Sequence, residues 1–133
     1  MNTNVGIQNV ATVAWTGAAA RAVDIRKFVR FGWVFEVTGA IAADAVFKVQ
    51  AAPPSDADPC VPGTFVDVAE ISICDRPAVP GPAAQVTIPA GTPIGTICAG
   101  TIPCRPDAFV RLASVSGTVA NVLATIVRQG PMI

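Results

Sequence analysis

The sequence predicts an all-β protein, an antiparallel β-sandwich or jelly roll of about eight short strands, and three observations carry that reading. Val and Ile number 30 against two Leu and two Met. Their branched side chains are stiff at χ1 and suit a pleated surface better than a helix face. Eleven Gly and twelve Pro fall as turn punctuation, at Pro53-Pro54, Pro62-Gly63, Pro80-Gly81-Pro82, Gly91 and Gly130-Pro131. Between these breaks the apolar residues alternate with period two.

Taken in order, residues 6–15 form a first strand. Residues 18–28 read as a loop leading into a short strand at 23–25. The clearest strand spans 28–38: Val29, Phe31, Trp33, Phe35 and Val37 make one large apolar face, and Arg30, Gly32, Val34, Glu36 and Thr38 make a polar or small one. Residues 45–51 repeat the pattern, with Phe47 and Val49 opposite Lys48 and Gln50. Phe31, Trp33, Phe35, Val37, Phe47 and Val49 are therefore the expected core. Further strands follow at 64–74 (broken near Glu70), 84–89, 94–98, 108–115 and 119–128. The last also fits helical spacing, but its Val, Thr and Ile content and the preceding Gly117 favour a strand.

Length allows one domain, residues 1–133, with short arms at both ends. Nine Lys+Arg balance nine Asp+Glu, so a general nucleic-acid binder is not expected, since phosphate neutralisation supplies most of such affinity. Without His there is no Ser-His-Asp or Cys-His machinery and no His-ligated metal. Glu36 and Glu70 are the only Glu, with no nucleophile in pattern beside them, and no phosphate loop or hydrolase elbow occurs. No enzyme and no cofactor is expected. No apolar run reaches the ~20 residues that cross a bilayer, and Met1-Asn2-Thr3-Asn4 does not begin a signal peptide. Only 14% of residues are charged, against roughly 25% in an average soluble domain. A small domain has proportionally more surface to solvate. Much of this surface is expected to lie against other protein.

Four cysteines, Cys60, Cys74, Cys98 and Cys104, admit several readings. Their spacing lacks the close ligand pairs of structural zinc sites, and no base is present to activate a thiol. Disulfides lead, with buried free thiols as the alternative. Cys98 with Cys104 would close a short loop holding Gly100 and Pro103, and Cys60 with Cys74 would tie a Pro-rich loop to the next strand. Asp56 and Asp58 form a D-x-D that reads as a solvated loop tip before it reads as a calcium site. Arg21, Asp24, Arg26, Lys27 and Arg30 cluster within ten residues. They suit an edge with internal ion pairs, while Arg21, Arg26 and Lys27 are also candidates for contact with an acidic partner surface. Trp33 falls in core phase; Trp15 is as readily a stacking surface as a core residue. The apolar end Pro131-Met132-Ile133 is a candidate arm, ordered by a neighbouring subunit.

The run FVRFGWVFEVTGAIAADAVFKVQAAPPSDADPCVPGTFVDVAE has a strand, turn, strand, polar loop, strand grammar, and DAFVRLASVSGTVANVLATIVRQG reads as a closing hairpin. Over residues 28 to 128 this pattern resembles the small β-sandwich head decoration (cement) proteins of tailed-bacteriophage virions. The resemblance implies a non-enzymatic sandwich held in many copies on an icosahedral shell, with the major capsid protein and further copies of itself as partners. It places the chain in the virion, assembled in the host cytoplasm and later extracellular, where thiols can oxidise. A tail- or neck-associated host-recognition sandwich is the alternative, and would call for a cleft with exposed aromatics and carboxylates.

Overall fold

The computed structural model describes residues 8–17, 21–28, 30–68, 72–73, 79–80, 85–102 and 108–132. Among them lie eleven strands: β1 (Gln8–Thr16), β2 (Val23–Asp24), β3 (Arg30–Val37), β4 (Ala45–Ala52), β5 (Val66–Asp67), β6 (Ser72–Ile73), β7 (Val79–Pro80), β8 (Gln85–Ile88), β9 (Ile97–Ile102), β10 (Phe109–Ser116) and β11 (Val122–Met132). They build two antiparallel sheets. Sheet I runs β1-β11-β3-β9-β6; sheet II runs β2-β10-β4-β8-β7, with β5 also on β4.

The pairings define the topology. β1 pairs with β11, β2 with β10, β3 with β9 and β4 with β8. The first core strand thus meets the eighth, the second the seventh, the third the sixth and the fourth the fifth. This is one long antiparallel ribbon, wrapped so that β11 also pairs with β3 and β10 with β4. It is a jelly roll of two four-stranded sheets, the class the sequence predicts. The connection between β4 and β8 carries the three extra strands. β5 joins β4, β6 covers the outer edge of β9, and β7 covers the outer edge of β8. Pairing those edges hides backbone groups that would otherwise invite other strands.

Alternation sends one face of each strand inward. β3 buries Phe31, Trp33, Phe35 and Val37; β4 buries Phe47 and Val49. The expected core is borne out at all six positions. Phe35 stacks on Phe47 across the gap between the sheets, centroids 4.5 Å apart, and Trp33 packs at 5.1 Å from Phe35. In register, Trp33 faces Gly100 on β9, which leaves room for the indole. Trp15 is buried as well, in the same core, so its stacking-surface reading falls away.

Several sequence expectations shift at the ends. The 94–98 strand becomes β9 at Ile97–Ile102, because Pro93 to Thr96 turn instead: Thr96 N–H donates to the Pro93 carbonyl and Gly95 has φ +91°. Val119–Asn121 is a 3₁₀ turn before β11, which then continues to Met132. Met132 pairs with Gln8, so up to that residue the chain's end is a strand rather than a free arm. Ile133 lies outside the described residues. The 64–74 segment divides, β5 going to sheet II and β6 to sheet I.

One end of the sandwich is closed by loop-to-loop hydrogen bonds. Asn121 Nδ2 donates to the Ala40 carbonyl (2.8 Å), the Ala43 amide to Thr118 Oγ1 (3.0 Å), and the Ala90 amide to Asp44 Oδ1 (2.8 Å). Gly117 sits here at φ +85°, and a Cβ on it would run into the Asp44 carbonyl.

Truncating Phe35 to Ala should cost about 3–5 kcal/mol, as large-to-small core changes do. Val34→Thr, one residue away but facing outward, should stay within about 0.5 kcal/mol. Urea unfolding of the two variants checks the phase of β3.

Candidate functional site

Of the residues singled out in the sequence, Arg26, Asp58 and Cys60 meet at the 53–63 loop. At the end opposite the closed loops, Asp24 ends β2 and meets Arg26, Nη2 to Oδ2 at 2.7 Å, while Arg26 Nη1 donates to the Pro59 carbonyl at 2.7 Å. Arg26 also lies over the Phe109 ring, 5.1 Å from its centroid. This guanidinium therefore pins the 53–63 loop to β2 while its side chain stays 37% exposed. Arg128 behaves similarly, with Nη1 donating to the Asp24 carbonyl at 2.8 Å and its guanidinium over Phe28. Arg21 and Lys27 are exposed.

The 53–63 loop is a tight hairpin. Pro54 bridges Pro62, the Gly63 amide donates to the Pro53 carbonyl (2.7 Å), and the Ser55 amide to the Val61 carbonyl (2.9 Å). At its tip Asp58 Oδ1 accepts the Cys60 amide at 2.9 Å, closing an Asx turn. No group of three potential ligands is found among the described residues. Cys60 is an exposed free thiol and Cys98 is buried in the core. Cys74 and Cys104, the expected partners, lie outside the described residues, as does Glu70. Pro131 and Met132 close β11.

The outer faces of the two sheets differ in chemistry. Sheet II carries a connected polar network: Arg111 Nε donates to Gln50 Oε1 (2.8 Å), Gln50 Nε2 to Asp67 Oδ1 (2.9 Å), and Lys48 Nζ pairs with Asp67 at 3.1 Å. Arg111 stacks over Phe65 at 3.9 Å. Hydrogen bonds from Gln50 and then Lys48 hold the Asp67 carboxyl below the usual carboxylate range. These charges are satisfied by one another.

Among the described residues sheet I has no such network. Register places its outward residues in three rows across β1, β11, β3 and β9: Thr12, Val127, Gly32, Thr101; then Ala14, Thr125, Val34, Ala99; then Thr16, Leu123, Glu36, Ile97. Eleven of these twelve positions are uncharged, and every residue but Leu123, Glu36 and Ile97 is small or of Val or Thr size. All twelve are exposed or half-buried; Ile97 is 55% exposed. Arg30, one row beyond Gly32, is the only other charge on β3, and neither it nor Glu36 has an ion-pair partner among the described residues. Beside Gly32 the face dips into a hollow of about 480 Å³, walled by Arg30, Thr101, Val127 and Gln129. A β-sheet face of this composition is suited to burial against protein and holds nothing arranged for bond chemistry.

Comparison with protein-family models and with curated proteins returns no match. No helix among the described residues is long and apolar enough to cross a membrane.

The Arg26 hydrogen bond, more than its charge, draws the Asp24 carboxyl below the usual carboxylate range. A carboxyl depressed in the folded state contributes stability above its unfolded pKa, ~3.9, and that contribution fades as pH falls through the lower folded value. Both side chains are more than a third exposed, 37% and 44%, so the effect is small. Asp24→Asn should flatten the pH dependence of unfolding below about pH 4 and leave neutral stability slightly lowered. Urea midpoints measured from pH 2 to 7 test this.

Proposed function

We propose that this chain is a non-enzymatic virion structural protein that decorates a capsid shell in many copies, binding major capsid subunits and further copies of itself. The observation that carries the assembly part of this reading is the outer face of sheet I. It is broad and nearly uncharged, and it belongs to a domain whose other face satisfies its own charges. An isolated globular domain of 133 residues with 14% charge leaves such a face in water at a cost; a domain packed in a lattice does not.

The virion setting comes from the resemblance of residues 28 to 128 to head decoration proteins. Jelly rolls recur in viral capsid domains and also in lectins, so topology is compatible with it and does not by itself select it. The host-recognition alternative asks for exposed aromatics beside carboxylates. Here Trp15, Trp33, Phe31, Phe35, Phe47 and Phe109 are buried, and the two half-buried rings, Phe28 and Phe65, are each covered by an arginine. Weak contacts suffice for a decoration protein, because many copies clamped to one another multiply each attachment.

Stoichiometry in purified particles tests the proposal. Quantitative mass spectrometry should find hundreds of copies per particle. A dozen or fewer would move the chain to the tail or neck, and absence from particles would remove the virion reading altogether.

A further inference from the structure

The geometry points to the outer face of sheet I as a self-complementary surface through which two copies of this chain pack face to face, registered by Arg30 and Glu36. This stands independently of the virion reading, since it needs only the chain itself.

Arg30 and Glu36, without ion-pair partners among the described residues, lie on the same strand and the same face, six residues apart, with Gly32 and Val34 between them. Six residues of strand span ~20 Å. Consider a two-fold axis in the plane between two such faces, perpendicular to β3 and passing over Trp33. It turns β3 of one copy antiparallel over β3 of the other. Arg30 then meets Glu36 of the second copy, and Glu36 meets that copy's Arg30. The two pairs flank an apolar centre, and one operation satisfies all four charges. Packed sheets lie ~10 Å apart, a gap that an Arg and a Glu side chain span together.

The same operation matches shape. It sets Val34 of each copy over Gly32 of the other. Gly32 is where the face dips into its hollow, and a Cβ there would come within 3.0 Å of the Gly100 carbonyl, so the recess is fixed by the close approach of β9. Val34 fills what Gly32 leaves open. Isologous contacts require this kind of self-matching, residue i to j and j to i. Sheet II offers no equivalent, because Lys48, Asp67, Gln50 and Arg111 already engage one another. Four strands by ~20 Å give a footprint of roughly 400 Å² per copy, about half that of a standard specific interface. The association is therefore reversible and concentration-dependent.

Sedimentation velocity on the full chain and its variants, from micromolar to millimolar, decides the matter. Wild type should show a reversible monomer–dimer equilibrium. R30E presents two acids on the face and E36R two bases, so each should weaken self-association by about tenfold or more, because both symmetric pairs become repulsive. Mixing the two variants should restore dimerisation, as should the double variant R30E/E36R. Val34→Lys should abolish it with the unfolding midpoint little changed. Restoration in the mixture also shows that both variants fold. The proposal is overturned if wild type stays monomeric throughout, if the mixture fails to associate, or if V34K dimerises normally. In the last case another surface joins the copies. A wild-type monomer that nevertheless binds capsid shells would assign the face to the shell instead.

Discussion

The stack of Phe35 on Phe47 is the contact on which the rest of the molecule depends. It is where β3 of one sheet touches β4 of the other, and β3 and β4 each pair with strands on both sides. A jelly roll is a folded ribbon whose two halves are joined only by corners and by the side chains between the layers. If the layers do not hold, the ribbon has no reason to wrap. The offset stacking of two rings, with Trp33 against the first, supplies dense apolar contact and an orientation preference at the centre of the gap. Around it the filling is mostly Val, Ile and Ala, whose small volumes suit two sheets that approach closely.

That division of labour explains why some features were legible in the sequence. The phase of β3 and β4 could be read directly, because a buried face and a solvated face leave alternate residues different in kind. Strand ends were harder. Ile94 looks like a strand residue by type but sits in a turn made by Pro93 and Gly95, and β11 runs past Arg128 because its partner β1 reaches that far. β6 and β7 are two-residue strands that exist only because a neighbouring edge is available. Pro80 lies in β7, tolerated because the strand is outermost in its sheet. Nothing local in the sequence announces an element that its neighbour defines.

The candidate surface was legible only in pieces. Low charge predicted that some face is covered, yet it could not say which one. Arg30 appeared as one member of a basic cluster and Glu36 as an isolated acid. Their relation emerges once register sets Val127 beside Gly32, Thr125 beside Val34 and Leu123 beside Glu36. Pairing between distant strands is set by the global wrap, and loop composition does not encode it. The basic cluster shows the reverse case. Grouped in sequence, it disperses in space: Arg26 is tied to Asp24 and Pro59, while Arg30 faces away on sheet I.

The pairing of β1 with β11 also governs when this protein can become itself. During synthesis β1 emerges long before its partner β11, with the nine other strands between them. Until then this nine-residue strand, rich in Val, Ala and Thr, has no ladder to join, and Trp15 has no complete core to enter. β3 waits likewise for β9, which follows the whole β4-to-β8 connection. Such topologies fold slowly, since distant segments must meet before any pairing is rewarded. Until β11 is made, the unpaired strands of the nascent chain are open to association with other chains.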